Sequence, residues 1–101
     1  MKTLKFSIYQ IKNVAKCDYA FRSYSATKFS IDDYELVYSD SIAAKEPDNH
    51  MYILEDLFEI FNYERPKDFT GKSLSVSDII KLDDKYYYCD DFGWQLLNID
   101  K

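Results

Sequence analysis

NYERPKDFTGKSLSVSD, residues Asn62 to Asp78, stands between a helix-patterned segment and a run of short β-forming stretches. Before it, Leu54, Leu57, Phe58 and Phe61 recur at the i, i+3, i+4, i+7 spacing of a helix, with Glu55, Asp56 and Glu59 on the other side. This spacing predicts a helix from Asn49 to Asn62, with Asp48 or Asn49 as N-cap. Asn62 can take the left-handed conformation that ends a helix, and Pro66 holds Arg65 out of helical geometry. Pro66 to Ser77 then reads as a loop. After it, β-formers alternate with turn residues: Asp78 to Leu82, a turn at Asp83 and Asp84, Lys85 to Cys89, a corner at Asp90 to Gly93, and Trp94 to Ile99. That pattern is a β-meander.

Towards the N-terminus, Leu4, Phe6 and Ile8 alternate with Lys5 and Ser7, so Thr3 to Lys12 reads as a strand with one buried face. Asp18 to Thr27, with Phe21 and Tyr24 three apart, reads as a short helix or a pair of turns. Tyr34, Leu36, Val37 and Tyr38 form a second β run, entered through Asp32 and Asp33 and left through Ser39, Asp40 and Ser41, with a loop through Pro47. The expectation is one α+β domain over residues 1–101, a small antiparallel or mixed sheet packed on one main helix.

Composition narrows the functional classes. Of 101 residues, 47% are hydrophobic and only two are Gly and two Pro, which excludes a disordered or low-complexity chain. The N-terminus lacks the apolar core of a signal peptide and no segment is long enough to cross a bilayer, so a cytoplasmic location is expected. Cys17 and Cys89 lack metal-binding or redox spacing and read as free thiols. Charge is uneven: Met1 to Ile31 has six basic residues against one acidic, and Asp32 to Lys101 has seven against seventeen. Unless Lys2, Lys5, Lys12 and Lys16 pair with downstream carboxylates across the sheet, this asymmetry gives an acidic face that suits a basic partner.

Motifs for catalysis do not assemble. Gly71, Lys72 and Ser73 resemble the end of a phosphate-binding loop, but Pro66 stands where its first glycine is needed. Asp91, Phe92 and Gly93 spell the kinase metal-binding tripeptide without its accompanying segments. The acid pairs Asp32/Asp33, Asp83/Asp84 and Asp90/Asp91 each fall at a turn, where aspartate bonds its own backbone, and none has the spacing of a calcium loop. His50, the one histidine, reads as a surface or capping residue. No catalytic residue, metal or cofactor is expected. The ten tyrosines exceed what a core comfortably holds, since each buried hydroxyl needs a partner. Tyr86 and Tyr88 face one side of a strand and Tyr87 the other, so at least one ring is expected to face outwards, as at a protein interface. Base stacking beside Lys5, Lys12 and Arg22 is the alternative use, and a pI near 4.7 argues against it.

Five blocks, SIYQIK (7–12), YAFRSY (19–24), YELVYS (34–39), residues 54–82 and YYCDDFGWQL (87–96), resemble in order the YodL-like domain family. The resemblance implies a small α+β domain, no established enzymatic activity, no known cofactor, and a setting among mobile-element or accessory proteins. Within its motif, Arg65, Pro66, Asp68, Gly71, Ser73, Ser75, Ser77, Asp78 and Gly93 have a structural explanation: the loop can bond the preceding helix end and the following strand, with Phe69 and Leu74 as anchors. The expected function is a non-enzymatic acidic protein-binding module, an inhibitor or modulator of a host or defence protein that works by occupying its surface, nucleic-acid mimicry included. Glu55, Asp56, Glu59 and Glu64 with Asp90 and Asp91 would meet a basic groove on that partner. The alternatives are an interaction protein acting on a cytoskeletal or envelope partner, and a single-stranded nucleic-acid binder using the basic N-terminal part.

Overall fold

The computed structural model describes residues 2–22, 30–91 and 93–98. Five strands, β1 (Lys2–Ile11), β2 (Tyr34–Ala44), β3 (Ile79–Leu82), β4 (Lys85–Cys89) and β5 (Trp94–Leu97), and one helix, α1 (His50–Tyr63), form the domain. The sheet is antiparallel throughout, in the order β2-β1-β3-β4-β5, so α1 connects an edge strand to the far side of β1. The α+β architecture and the C-terminal meander are as expected.

Leu4, Phe6 and Ile8 of β1, Ile80 and Leu82 of β3 and Tyr87 of β4 pack against Ile53, Leu54, Leu57 and Phe61 of α1. Phe61 lies at the centre of this layer: its ring meets Phe69 at 5.0 Å, Tyr38 at 5.4 Å and Phe6 at 5.8 Å, all edge-to-face. Such pairs add about 0.5–1.5 kcal/mol each beyond the burial of their area. The opposite face of the sheet is covered too. Ile11, Tyr34, Ile79, Tyr86, Tyr88 and Leu97 form a second core under Tyr19 and the segment around it.

That second core corrects the reading of the tyrosine run. Tyr86, Tyr87 and Tyr88 are all buried, because β4 lies between two layers and has no solvent face. Buried hydroxyls reach partners across the chain: Tyr87 Oη lies 2.7 Å from His50 Nδ1, Tyr88 donates to the Arg22 carbonyl at 2.8 Å, Tyr34 to the Ser77 carbonyl, and Tyr19 to Asp33 at 2.6 Å. Among the described residues the well-exposed tyrosines are Tyr52 and Tyr63, both on α1.

β2 extends to Ala44, past the loop expected from Ser39 to Pro47. Ser39, Asp40 and Ser41 lie on an edge strand opposite Ser7, Phe6 and Lys5, where polar side chains can remain in water. Between Ile8↔Tyr38 and Tyr9↔Leu36, β2 carries one extra residue, Val37. A side-chain period of two makes such a bulge swap faces, so Tyr38 serves the α1 core while Tyr34 serves the other.

Asn49 caps α1, its side chain accepting from the Tyr52 N–H at 3.2 Å. Asn62 stays helical: among the described residues the positive-φ positions other than glycine are Phe21, Ser77 and Asp83. The helix instead ends one residue later, at a Glu64 N–H bonded to the Ile60 carbonyl at 2.8 Å, with Pro66 blocking continuation. Residues 18–21 form turns, the remainder of the segment expected up to Thr27 lies outside the described residues from position 23, and Ile99 also lies outside them. Strand β3 begins at Ile79, leaving Asp78 in the loop.

Candidate functional site

The loop between α1 and β3 closes on a strand far from it in sequence. Gln10, buried on β1, donates through Nε2 to the Lys72 carbonyl at 2.8 Å and to Asp78 Oδ2 at 3.2 Å, and accepts through Oε1 from the Lys72 N–H at 3.1 Å. Asp78 Oδ2 also accepts from the Ser75 N–H at 3.0 Å. Beside the Phe61–Phe69 ring contact at the helix end and the Ser77 and Asp78 backbone bonds to Cys89, the loop thus has a partner in Gln10, which no local pattern singles out. Burial pushes the Asp78 carboxyl up to about 7, opposed by the Ser75 and Gln10 hydrogen bonds and by the Lys72 charge.

Each other motif residue has a place. Phe69 and Leu74 are buried anchors. Gly71 sits so close to Gln10 and Phe69 that a Cβ would lie 2.8 Å from Oε1 and 2.9 Å from the ring. Ser77, with φ 85°, turns the chain into β3, and its Oγ accepts from the Phe21 N–H at 2.9 Å. The Pro66 carbonyl accepts from the Phe69 N–H at 3.1 Å, and Gly93 takes φ 76° in the β4–β5 corner. Arg65 and Ser73 are exposed. Asp68 accepts from Tyr38 Oη at 3.0 Å.

The acidic residues divide between two flanks. Trp94 of β5 packs edge-on against Phe58 at 6.3 Å, and its Nε1 lies 3.4 Å from Glu55 Oε2. This contact carries the Asp90–Gly93 corner towards Glu55. Buried Cys89 senses the same convergence: burial, then Asp78, Glu55 and Asp90, push its thiol up to about 12. Glu59 is exposed one turn beyond Glu55, and Glu64 lies at the helix end, roughly 13 Å from Glu55 at 1.5 Å per residue. Asp56 points the other way. It lines a cleft of about 490 Å³ with Ile42, Ala44, Lys45, Tyr52 and Ile53.

His50 is neither free at the surface nor the cap. Its Nδ1 lies 2.7 Å from Tyr87 Oη, tying the start of α1 to the middle of β4. Lys12 and Lys16 share a depression with Asp32 and Asp33, and the Lys12 N–H bonds the Asp33 carbonyl at 2.9 Å, so part of the basic N-terminal charge faces acids. Among the described residues no group of three or more His, Cys, Asp or Glu side chains converges to hold a metal ion, and no helix is long and apolar enough to cross a membrane. The cysteines are free thiols, Cys17 half-buried and Cys89 buried.

Neither the curated proteins nor the solved structures include a match to this chain. The profile of the YodL-like domain matches residues 5–99, which take in α1, β2 to β5 and all of β1 but its first three residues. The chain belongs to the YodL-like domain family.

Proposed function

We propose that this domain is a non-enzymatic protein-binding module that presents an acidic surface to a basic groove on its partner. The observation that carries the reading is one of sign and place. No lysine or arginine occurs between Lys45 and Arg65, or between Lys85 and Lys101, and the Glu55–Trp94 contact joins these two base-free segments into one surface. Glu55, Glu59 and Asp91 lie exposed on it, with Asp90 half-buried beside them, while Glu64, nine residues beyond Glu55 at the helix end, comes off the other side of the helix. Asp56, turned to the opposite flank beside Lys45, contributes less. Such a field speeds encounter with a basic partner and selects against acidic ones.

The concrete form is an inhibitor or modulator that occupies a host or defence protein's surface, a form that fits the mobile-element setting implied by the family resemblance. Carboxylates spaced along a helix and a β corner offer such a target a stand-in for phosphates. The test is capture of partners by the tagged chain from bacterial lysate, with and without nuclease, at two salt concentrations. A stoichiometric, nuclease-resistant and salt-sensitive protein partner is expected. Retention of nuclease-sensitive material alone would contradict the reading.

A further inference from the structure

We propose that the outer edge of β5, together with the flank of α1 beside it, is a strand-addition site for an extended, basic peptide segment of a partner protein. This rests on the acidic-surface reading and gives the partner a shape. β5 ends the sheet order, and among the described residues no strand pairs with its outer side. The ladder shows which groups that edge offers. The Ser77 N–H donates to the Cys89 carbonyl at 2.9 Å and the Cys89 N–H to the Asp78 carbonyl at 2.8 Å, so Cys89 directs both backbone groups away from β5. Antiparallel alternation then points Tyr88 at Gln95, its register partner, and leaves the N–H and C=O groups of Trp94 and Leu96 facing outward.

The side chains of the same two residues lie on the α1 side of the sheet. Trp94 packs on Phe58, and Leu96 stands opposite Tyr87, whose hydroxyl meets His50. Met51 follows His50 and shares a helical stripe with Glu55 and Phe58 at the i, i+4, i+7 spacing, so the stripe runs alongside Trp94 and Leu96. Met51 is 45% exposed and Leu96 47% exposed, which leaves an apolar strip next to an open backbone edge. Glu55, Glu59 and Asp91 rim it, and neither bordering segment contains a basic residue.

An extended chain laid on this edge would turn alternate side chains towards α1. Arginine or lysine at those positions would lay its aliphatic stem on Leu96 and Met51 and bring its charge to Glu55 and Glu59. A neutral apolar segment would leave these carboxylates unmatched, and an acidic one would be repelled. The Leu96 carbonyl currently accepts from Gln95 Nε2 at 3.1 Å, a local cap that an incoming N–H would replace.

Trp94 is the single tryptophan of the chain and stands inside the proposed site, so its emission reports occupancy directly. The probe is a nine-residue peptide alternating arginine and valine, compared with two versions N-methylated on one or the other set of alternate amides, titrated into the full chain. Strand addition predicts that the parent peptide shifts Trp94 emission, and that one methylated version binds about tenfold more weakly or worse while keeping its charge. Equal binding of all three within about twofold would overturn strand addition and leave a purely electrostatic surface. Binding without a change in Trp94 emission, or no binding by any of the three, would also overturn it. The acidic-surface reading stands or falls separately, on capture by charge-reversed variants.

Discussion

Raising the pH from about 5 to about 8 should destabilise this domain through one buried side chain, Asp78. The carboxyl is 3% exposed, accepts from Gln10 Nε2 and the Ser75 N–H, and has the Lys72 charge as its nearest electrostatic support. Burial outweighs these and raises it to about 7, against an ordinary value of 3.8. Between those values the folded state holds a proton that the unfolded state has released, so stability falls as pH rises. It is full below the unfolded value, declines up to about 7 and is level beyond. At 1.36 kcal/mol per unit, the two units between pH 5 and 7 amount to about 3 kcal/mol, a large fraction of a typical folding free energy. Asp78→Asn keeps an oxygen that can accept from Gln10 and Ser75 but cannot ionise. Urea denaturation followed by Trp94 fluorescence at both pH values, on both proteins, isolates the effect from all other titrating groups. The wild type should lose about 3 kcal/mol relative to the variant on going from pH 5 to pH 8. A relative change below about 0.5 kcal/mol would refute the burial argument.

Three further outcomes follow from the same loop and strands. Gly71→Ala places a methyl against Gln10 and the Phe69 ring, and should cost about 1–3 kcal/mol in urea midpoint and slope analysis. Ser77→Val puts a β-branched residue at φ 85° in a fully buried position and removes the acceptor for the Phe21 N–H, so a loss of about 2–4 kcal/mol is expected; Ser77→Gly removes the same acceptor but relieves the φ strain, which offsets that loss and should leave a net cost of no more than about 1 kcal/mol by thermal denaturation. A colorimetric thiol reagent at pH 8 should label Cys17 quickly and Cys89 only in denaturant, because burial both shields the Cys89 thiol and disfavours its thiolate.

The parts of the fold legible in the sequence are those governed by local period. α1 announced itself through Leu54, Leu57 and Phe61, and β4 through Lys85 to Cys89 between two aspartate turns. What was not legible depends on what lies on the other side of an element. Alternation in β4 suggested one wet face, and only the second core beneath Tyr19 and Tyr34 buries Tyr86 and Tyr88. Ser39 to Ser41 look like an exit from a strand, yet on an edge they continue it. Asp78 has the chemistry of a turn former and does accept from the Ser75 N–H, but its second partner, Gln10, lies 68 positions earlier. The acidic surface was read as one helix face plus a corner. Structure joins Glu55 to the corner through Trp94, 39 positions later, and separates Asp56 from it.

The central claim, that the joined acidic surface binds a protein, is tested most directly by charge reversal. Glu55→Lys, Glu59→Lys and Asp91→Lys sit on exposed side chains, so each should change stability by no more than about 0.5 kcal/mol, which a thermal melt verifies. Quantitative capture of the nuclease-resistant partner by wild type and by the triple variant is the measurement. The triple variant should stay folded and lose the partner. Undiminished capture by a folded triple variant would contradict the central claim.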